Sequence, residues 1–72
     1  MPKLPVVSGK KVIKALSRIG YEFDHQVGSH ITLRNKQGHR LTVPNHPELD
    51  RGTLKSILND ASLTIEEFLA LL

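Results

Sequence analysis

His30-Ile31-Thr32-Leu33-Arg34-Asn35-Lys36-Gln37-Gly38-His39-Arg40-Leu41-Thr42-Val43-Pro44, residues 30–44, is the stretch that decides the fold. Polar and apolar residues alternate on both sides of its Asn-Lys-Gln-Gly centre, which is the period of a strand, so the segment predicts a hairpin. Residues directly opposite one another share a face, so Leu33 must pair with Leu41 and Ile31 with Val43. That register leaves Asn35 opposite His39 and a three-residue loop, Lys36-Gln37-Gly38. Such a loop wants a left-handed residue in its last position, and a glycine stands there. The other face then carries Thr32 opposite Thr42 and Arg34 opposite Arg40, with His30 at its head. Like charges facing each other destabilise a sheet, so the arginine pair points to an anionic ligand. Pro44 ends the strand.

Working outward, Tyr21 to Val27 also alternates. Tyr21, Phe23, His25 and Val27 are expected to face the core, with Glu22, Asp24 and Gln26 outward. Gly28-Ser29 makes the turn into His30, and a glycine there lets another backbone come close. Upstream, Ser8 is a good N-cap for a helix with Val12, Ile13, Leu16 and Ile19 on one face and Gly20 just past its end. Lys10, Lys14 and Arg18 stand at i, i+4 and i+8, so they form a basic ridge on the opposite face. Downstream, Asp50 is the expected N-cap of a helix with the apolar stripe Leu54, Ile57, Leu58 and Ala61, broken at Ser62-Leu63. Thr64 and Glu67 form a capping box that opens a short C-terminal helix carrying Ile65, Phe68, Leu69, Leu71 and Leu72. The expected order is α-β-β-β-α with a short C-terminal helix: an α+β fold, a three-stranded antiparallel sheet packed on helices, in a single domain over residues 1–72.

A chain of 72 residues buries one small core and cannot wrap a deep pocket around a metabolite, so any activity sits on a surface that faces a polymer or a protein. The absence of cysteine excludes a disulfide scaffold and a thiolate metal site. No apolar run approaches the roughly 18 residues of a spanning helix. The sequence therefore predicts a cytoplasmic domain without membrane association. Charge is unevenly spread. Residues 1–55 hold all ten basic residues against four acids (Glu22, Asp24, Glu48 and Asp50), whereas residues 56–72 hold three acids and no base. A basic body of this kind suits a polyanionic partner.

The motifs narrow the chemistry. There is no HExxH, no pair of histidines at i, i+4, no phosphate-binding glycine loop and no GxSxG elbow, so zinc, nucleotide-driven and serine-hydrolase chemistry all lack their residues, and no cofactor is expected. His30 is different: it follows Gly-Ser, begins a strand, and faces outward beside Thr32, Arg34, Arg40 and Thr42. A neutral imidazole there suits removal of a ribose 2′-OH proton, with arginines to offset the charge growing on phosphate. His25 and His39 fall on the core-side parity or at a strand end and read as structural. His46, held extended by Pro47, reads as a turn residue.

Gly28-Ser29-His30 before a strand, Leu41-Thr42-Val43-Pro44-Asn45-His46-Pro47, and Arg51-Gly52-Thr53-Leu54-Lys55-Ser56-Ile57-Leu58 follow one another in an order and spacing that resemble the HicA toxins of bacterial toxin–antitoxin modules. The similarity runs from the Ser8-Gly9-Lys10 helix start to the Thr64-Ile65-Glu66-Glu67-Phe68 tail. It implies a fold like that of a double-stranded RNA-binding domain, cleavage of mRNA, dependence on His30, and a HicB-like antitoxin as partner. The candidate RNA contacts are then Lys10, Lys14, Arg18, Gly28, Ser29, Thr32, Arg34, Arg40 and Thr42, with no metal ligand. A non-catalytic RNA-binding module using the same basic face is the alternative.

Overall fold

The fold is seen in a computed structural model, which describes residues 3–72 and leaves Met1 and Pro2 outside the description. Its elements run α1 (Gly9–Ser17), β1 (Glu22–Val27), β2 (His30–Arg34), β3 (Arg40–Pro44), α2 (Arg51–Asp60) and α3 (Ile65–Leu71). The strands form one antiparallel sheet in the order β1-β2-β3. This is the expected α+β architecture, consistent with a double-stranded-RNA-binding-domain arrangement.

The hairpin has the deduced register: Ile31 pairs with Val43, Thr32 with Thr42, Leu33 with Leu41 and Arg34 with Arg40. Gly38 takes φ of +83°, and Asn35 ties the loop by accepting from the Gly38 N–H at its carbonyl and from the His39 N–H at its side chain. The ladder is closed at one end by Asn35 N–H on the His39 carbonyl and at the other by Asn45 N–H on the Ser29 carbonyl. Hydrogen-bonded pairs alternate with open ones in an antiparallel ladder. His30–Pro44, Thr32–Thr42 and Arg34–Arg40 therefore occupy the open positions, where facing Cα atoms are only about 4.5 Å apart.

The core gathers on the other face. Ile31, Leu33, Leu41 and Val43 of the sheet meet Val12, Ala15 and Leu16 of α1, Leu54, Ile57 and Leu58 of α2, and Phe68 of α3, all buried. Caps set the helices in place. Ser8 accepts from the Lys11 N–H, and the Thr64–Glu67 capping box is complete. Asp50 stands at the α2 N-cap position, but its side chain makes no capping bond.

Gly9 locks α1 to the segment after β3. Its N–H donates to the His46 carbonyl at 2.9 Å, and a Cβ added there would run into the Pro44 carbonyl oxygen. Backbone approaches this close exclude every side chain.

Three expectations need correcting. The inward parity of β1 holds only for Tyr21, which is buried just before the strand; Phe23 is 62% exposed and Val27 69%. The register shifts between Phe23 and His25, where a β-bulge at Asp24 breaks the alternation, and α1 and α2 pack chiefly against β3, leaving β1 exposed along its length. Second, the regular turns of α1 stop at Ser17 with Arg18 as cap, and Ile19 is partly exposed rather than on the buried face; Gly20 does close the helix as expected, left-handed at φ +99°, with its N–H on the Ser17 carbonyl and the Tyr21 N–H on the Leu16 carbonyl. Third, Gly28 has no backbone near it, and a Cβ there would meet open space. What the turn needs from Gly28 is its φ of +59°, at the first central position of a two-residue hairpin loop, where glycine is favoured.

Candidate nucleic-acid interface

His30 opens β2 and is exposed. With Thr42, Pro44 and the α2 residues Thr53 and Ser56 it lines a shallow groove of about 510 Å³ that follows the β3 edge, with Asp50 and Asp60 also on its wall. The backbone beneath is fixed: the preceding Ser29 carbonyl accepts from Asn45 N–H at 2.6 Å, and Asn45 belongs to the segment that Gly9 anchors through His46. The Gly28-Ser29 turn, His30, the Asn45-His46 segment and the start of α1 are thus tied together at one end of the molecule.

Thr32, Arg34, Arg40 and Thr42 share the open face with His30, as their pairing requires. Arg34 and Arg40 stand at the far end of the hairpin. Arg34 stands four positions along the strand from His30, roughly 13 Å at the usual rise. The arginines therefore stand too far along the hairpin to meet the same group as His30. Asp24 shares their face: its Oδ2 lies 3.9 Å from Arg40 Nε and accepts from His25 Nδ1–H at 2.9 Å. The His25 bond above all, helped by the Arg40 and Arg34 charges, holds the Asp24 carboxyl below the usual carboxylate range.

The basic ridge of α1 divides. Lys10 borders a groove with Ser8, Asn45, His46 and Pro47, near the anchored end. Lys14 and Arg18, with Lys11, rim a smaller groove floored by Val7, Ala15, Leu71 and Leu72, between α1 and α3. Because α1 packs on the core face of the sheet, Lys14 and Arg18 lie on the helical side, across the molecule from Thr32, Arg34, Arg40 and Thr42. The nine expected contacts thus form two sets and not one patch. His39 is a structural residue, as its position implied: Nε2–H donates to the Asp60 carbonyl at the end of α2, and the ring meets Tyr21 edge-on at 6.3 Å. Burial pushes the Tyr21 phenol up. Among the described residues, no three His, Asp or Glu side chains gather as a metal site requires.

Residues 9–63 match the family described as HicA toxin of bacterial toxin–antitoxin. The chain belongs to the HicA toxin family. No curated protein matches it. As a HicA chain it is the toxin half of a two-protein module, whose partner is the antitoxin, and the family is in general one of ribonucleases. No described helix is long and apolar enough to cross a membrane.

Two features of this HicA surface escaped the sequence reading. Asn45, which ties the Ser29 turn to the rest of the molecule, bonds through its backbone, and a main-chain bond leaves no mark on residue type. The Asp24–His25 pair is visible as a dipeptide, but only the bulge makes it a surface feature of the open face.

Proposed function

We propose that this HicA toxin is an endoribonuclease that cleaves mRNA in the cytoplasm, with His30 as general base and no metal. The observation that carries the reading is the exposure of His30 on the open face, on a backbone held by the Asn45–Ser29 bond. An imidazole facing solvent from a fixed stretch of backbone can take the proton of a ribose 2′-OH. The 2′-oxygen then attacks phosphorus, the bond to the 5′-oxygen breaks, and the products carry a 2′,3′-cyclic phosphate and a 5′-hydroxyl. An RNA with 2′-deoxyribose at the scissile position should resist cleavage, and EDTA should leave the rate unchanged. Cleavage that survives the deoxy substitution, or stops with EDTA, would overturn the mechanism.

Binding draws on the charge of the face. Arg34, Arg40 and Lys10 contact the RNA backbone, while Gly28 and Ser29 shape the turn beside His30, Thr32 and Thr42 donate hydroxyls, and Lys14 and Arg18 take a second stretch of RNA on the helical side. Single-stranded affinity should fall with salt at a log–log slope of about −0.7 per phosphate contact. Replacing Arg34 or Arg40 by Gln should make the slope shallower by about that amount without altering sequence preference. A flat salt dependence in the parent protein would remove RNA from the reading. The antitoxin faces the same constraint. A HicB-like partner that covers Arg34 and Arg40 must bring carboxylates to them, since a buried unpaired charge costs several kcal/mol.

A further inference from the structure

Strict alternation along β1 would turn His25 under the sheet, but the bulge at Asp24 reverses the parity. His25 pairs with Thr32, whose side chain lies on the open face, and the next same-face residue of β2 is His30. His25 and His30 are therefore diagonal neighbours on adjacent strands, which sets them about 7–8 Å apart at the backbone. The His25 side chain is 56% exposed, and Nδ1–H is held by Asp24 Oδ2, so Nε2 is the atom left to meet a ligand. The other charged or titratable groups on this face are Glu22, Arg34 and Arg40.

We infer that His25 is the second catalytic residue, the general acid that protonates the leaving 5′-oxygen, with Asp24 as its positioning residue. The inference rests on the reading of His30 as base. In the step, the 2′-OH proton passes to His30, the 2′-oxygen–phosphorus bond forms, the phosphorus–5′-oxygen bond breaks, and the Nε2 proton of His25 goes to the departing oxygen. His30 ends protonated and His25 neutral, and exchange with water restores both. A reacting pair held about 3–3.5 Å apart, with each imidazole within 2.6–3.2 Å of its own oxygen, suits two rings on diagonal strand positions. Asp24 fixes the ring orientation and supplies a negative charge beside it.

The test compares two substrates that differ only in the leaving atom: an ordinary RNA, and the same RNA with sulfur in place of the bridging 5′-oxygen, whose thiolate departs without a proton. Purified His25→Ala should lose about 10²–10⁴-fold on the ordinary RNA and stay close to the parent rate on the sulfur-bridged one. Asp24→Asn should show a smaller loss, again confined to the oxygen leaving group. His30→Ala should fail on both. His25 lies on a strand whose residues are all exposed, so the parent melting temperature should persist; His25→Gln serves as a second variant. Equal losses of His25→Ala on the two substrates, or no loss on either, would overturn the acid role. Parent-like cleavage of both by His30→Ala would instead overturn the base assignment, and the two-histidine pairing with it.

Discussion

Replacing His30 by Ala lowers the rate of RNA cleavage by about 10²–10⁴-fold, the usual worth of one positioned acid–base group, and leaves RNA affinity almost unchanged. The two halves of this result have separate physical causes. The imidazole is exposed and buries nothing in the core, so its loss costs the fold little. Arg34 and Arg40, the proposed phosphate contacts on this face, lie too far along the hairpin to depend on it. Induced expression of the variant in a bacterium should leave survival at the level of an empty vector. A gel-shift assay beside the cleavage assay decides between enzyme and binding module. If the parent protein binds RNA and leaves it intact, and the variant matches it in both assays, the non-catalytic reading takes over.

Gly9→Ala has the second large effect, on stability. The added methyl runs into the Pro44 carbonyl, a backbone atom that cannot swing aside, and the Gly9–His46 hydrogen bond is strained as the segments part. Overpacking of this kind costs about 1–3 kcal/mol, and the main-chain clash puts this site at the upper end. Urea unfolding should show the lower midpoint with an unchanged slope. Cleavage should fall as well, although Gly9 is remote in sequence from His30, because the displaced segment holds the Ser29 carbonyl through Asn45. An Ala variant with parent stability and parent activity would mean that the α1–β3 junction has slack that the close approach does not suggest.

The hairpin was legible because two local signals agree on it. Side-chain parity allowed one pairing of Ile31 and Leu33 with Val43 and Leu41, and Gly38 fixed the loop length. The capping box at Thr64 was legible for the same reason, since its bonds are made by the side chains that define the motif. β1 was not. A period of two assumes an unbroken strand, and a bulge consumes one residue without changing composition, so Val27 read as core and His25 as structural, while Phe23 keeps the parity of Leu33 but is left uncovered. The split of the α1 ridge was also hidden. Helical spacing places Lys10, Lys14 and Arg18 in a row, but where that row points depends on α3 and on the 45–47 segment packing beside it. Tertiary placement decides this, and no local pattern carries it.

β1, like β3, is an edge strand, so one of its edges presents main-chain donors and acceptors that no neighbouring strand uses. Free edges of this sort invite a second chain to add a strand, and the apolar Phe23 and Val27 would reward it. The interruption at Asp24 works against that outcome. A docking strand would find a regular ladder for only two residues on one side of the bulge and three on the other, and it would meet a carboxylate and an imidazole there. The kink that turns His25 toward the open face therefore also interrupts the ladder that a second copy of β1 would need along this edge.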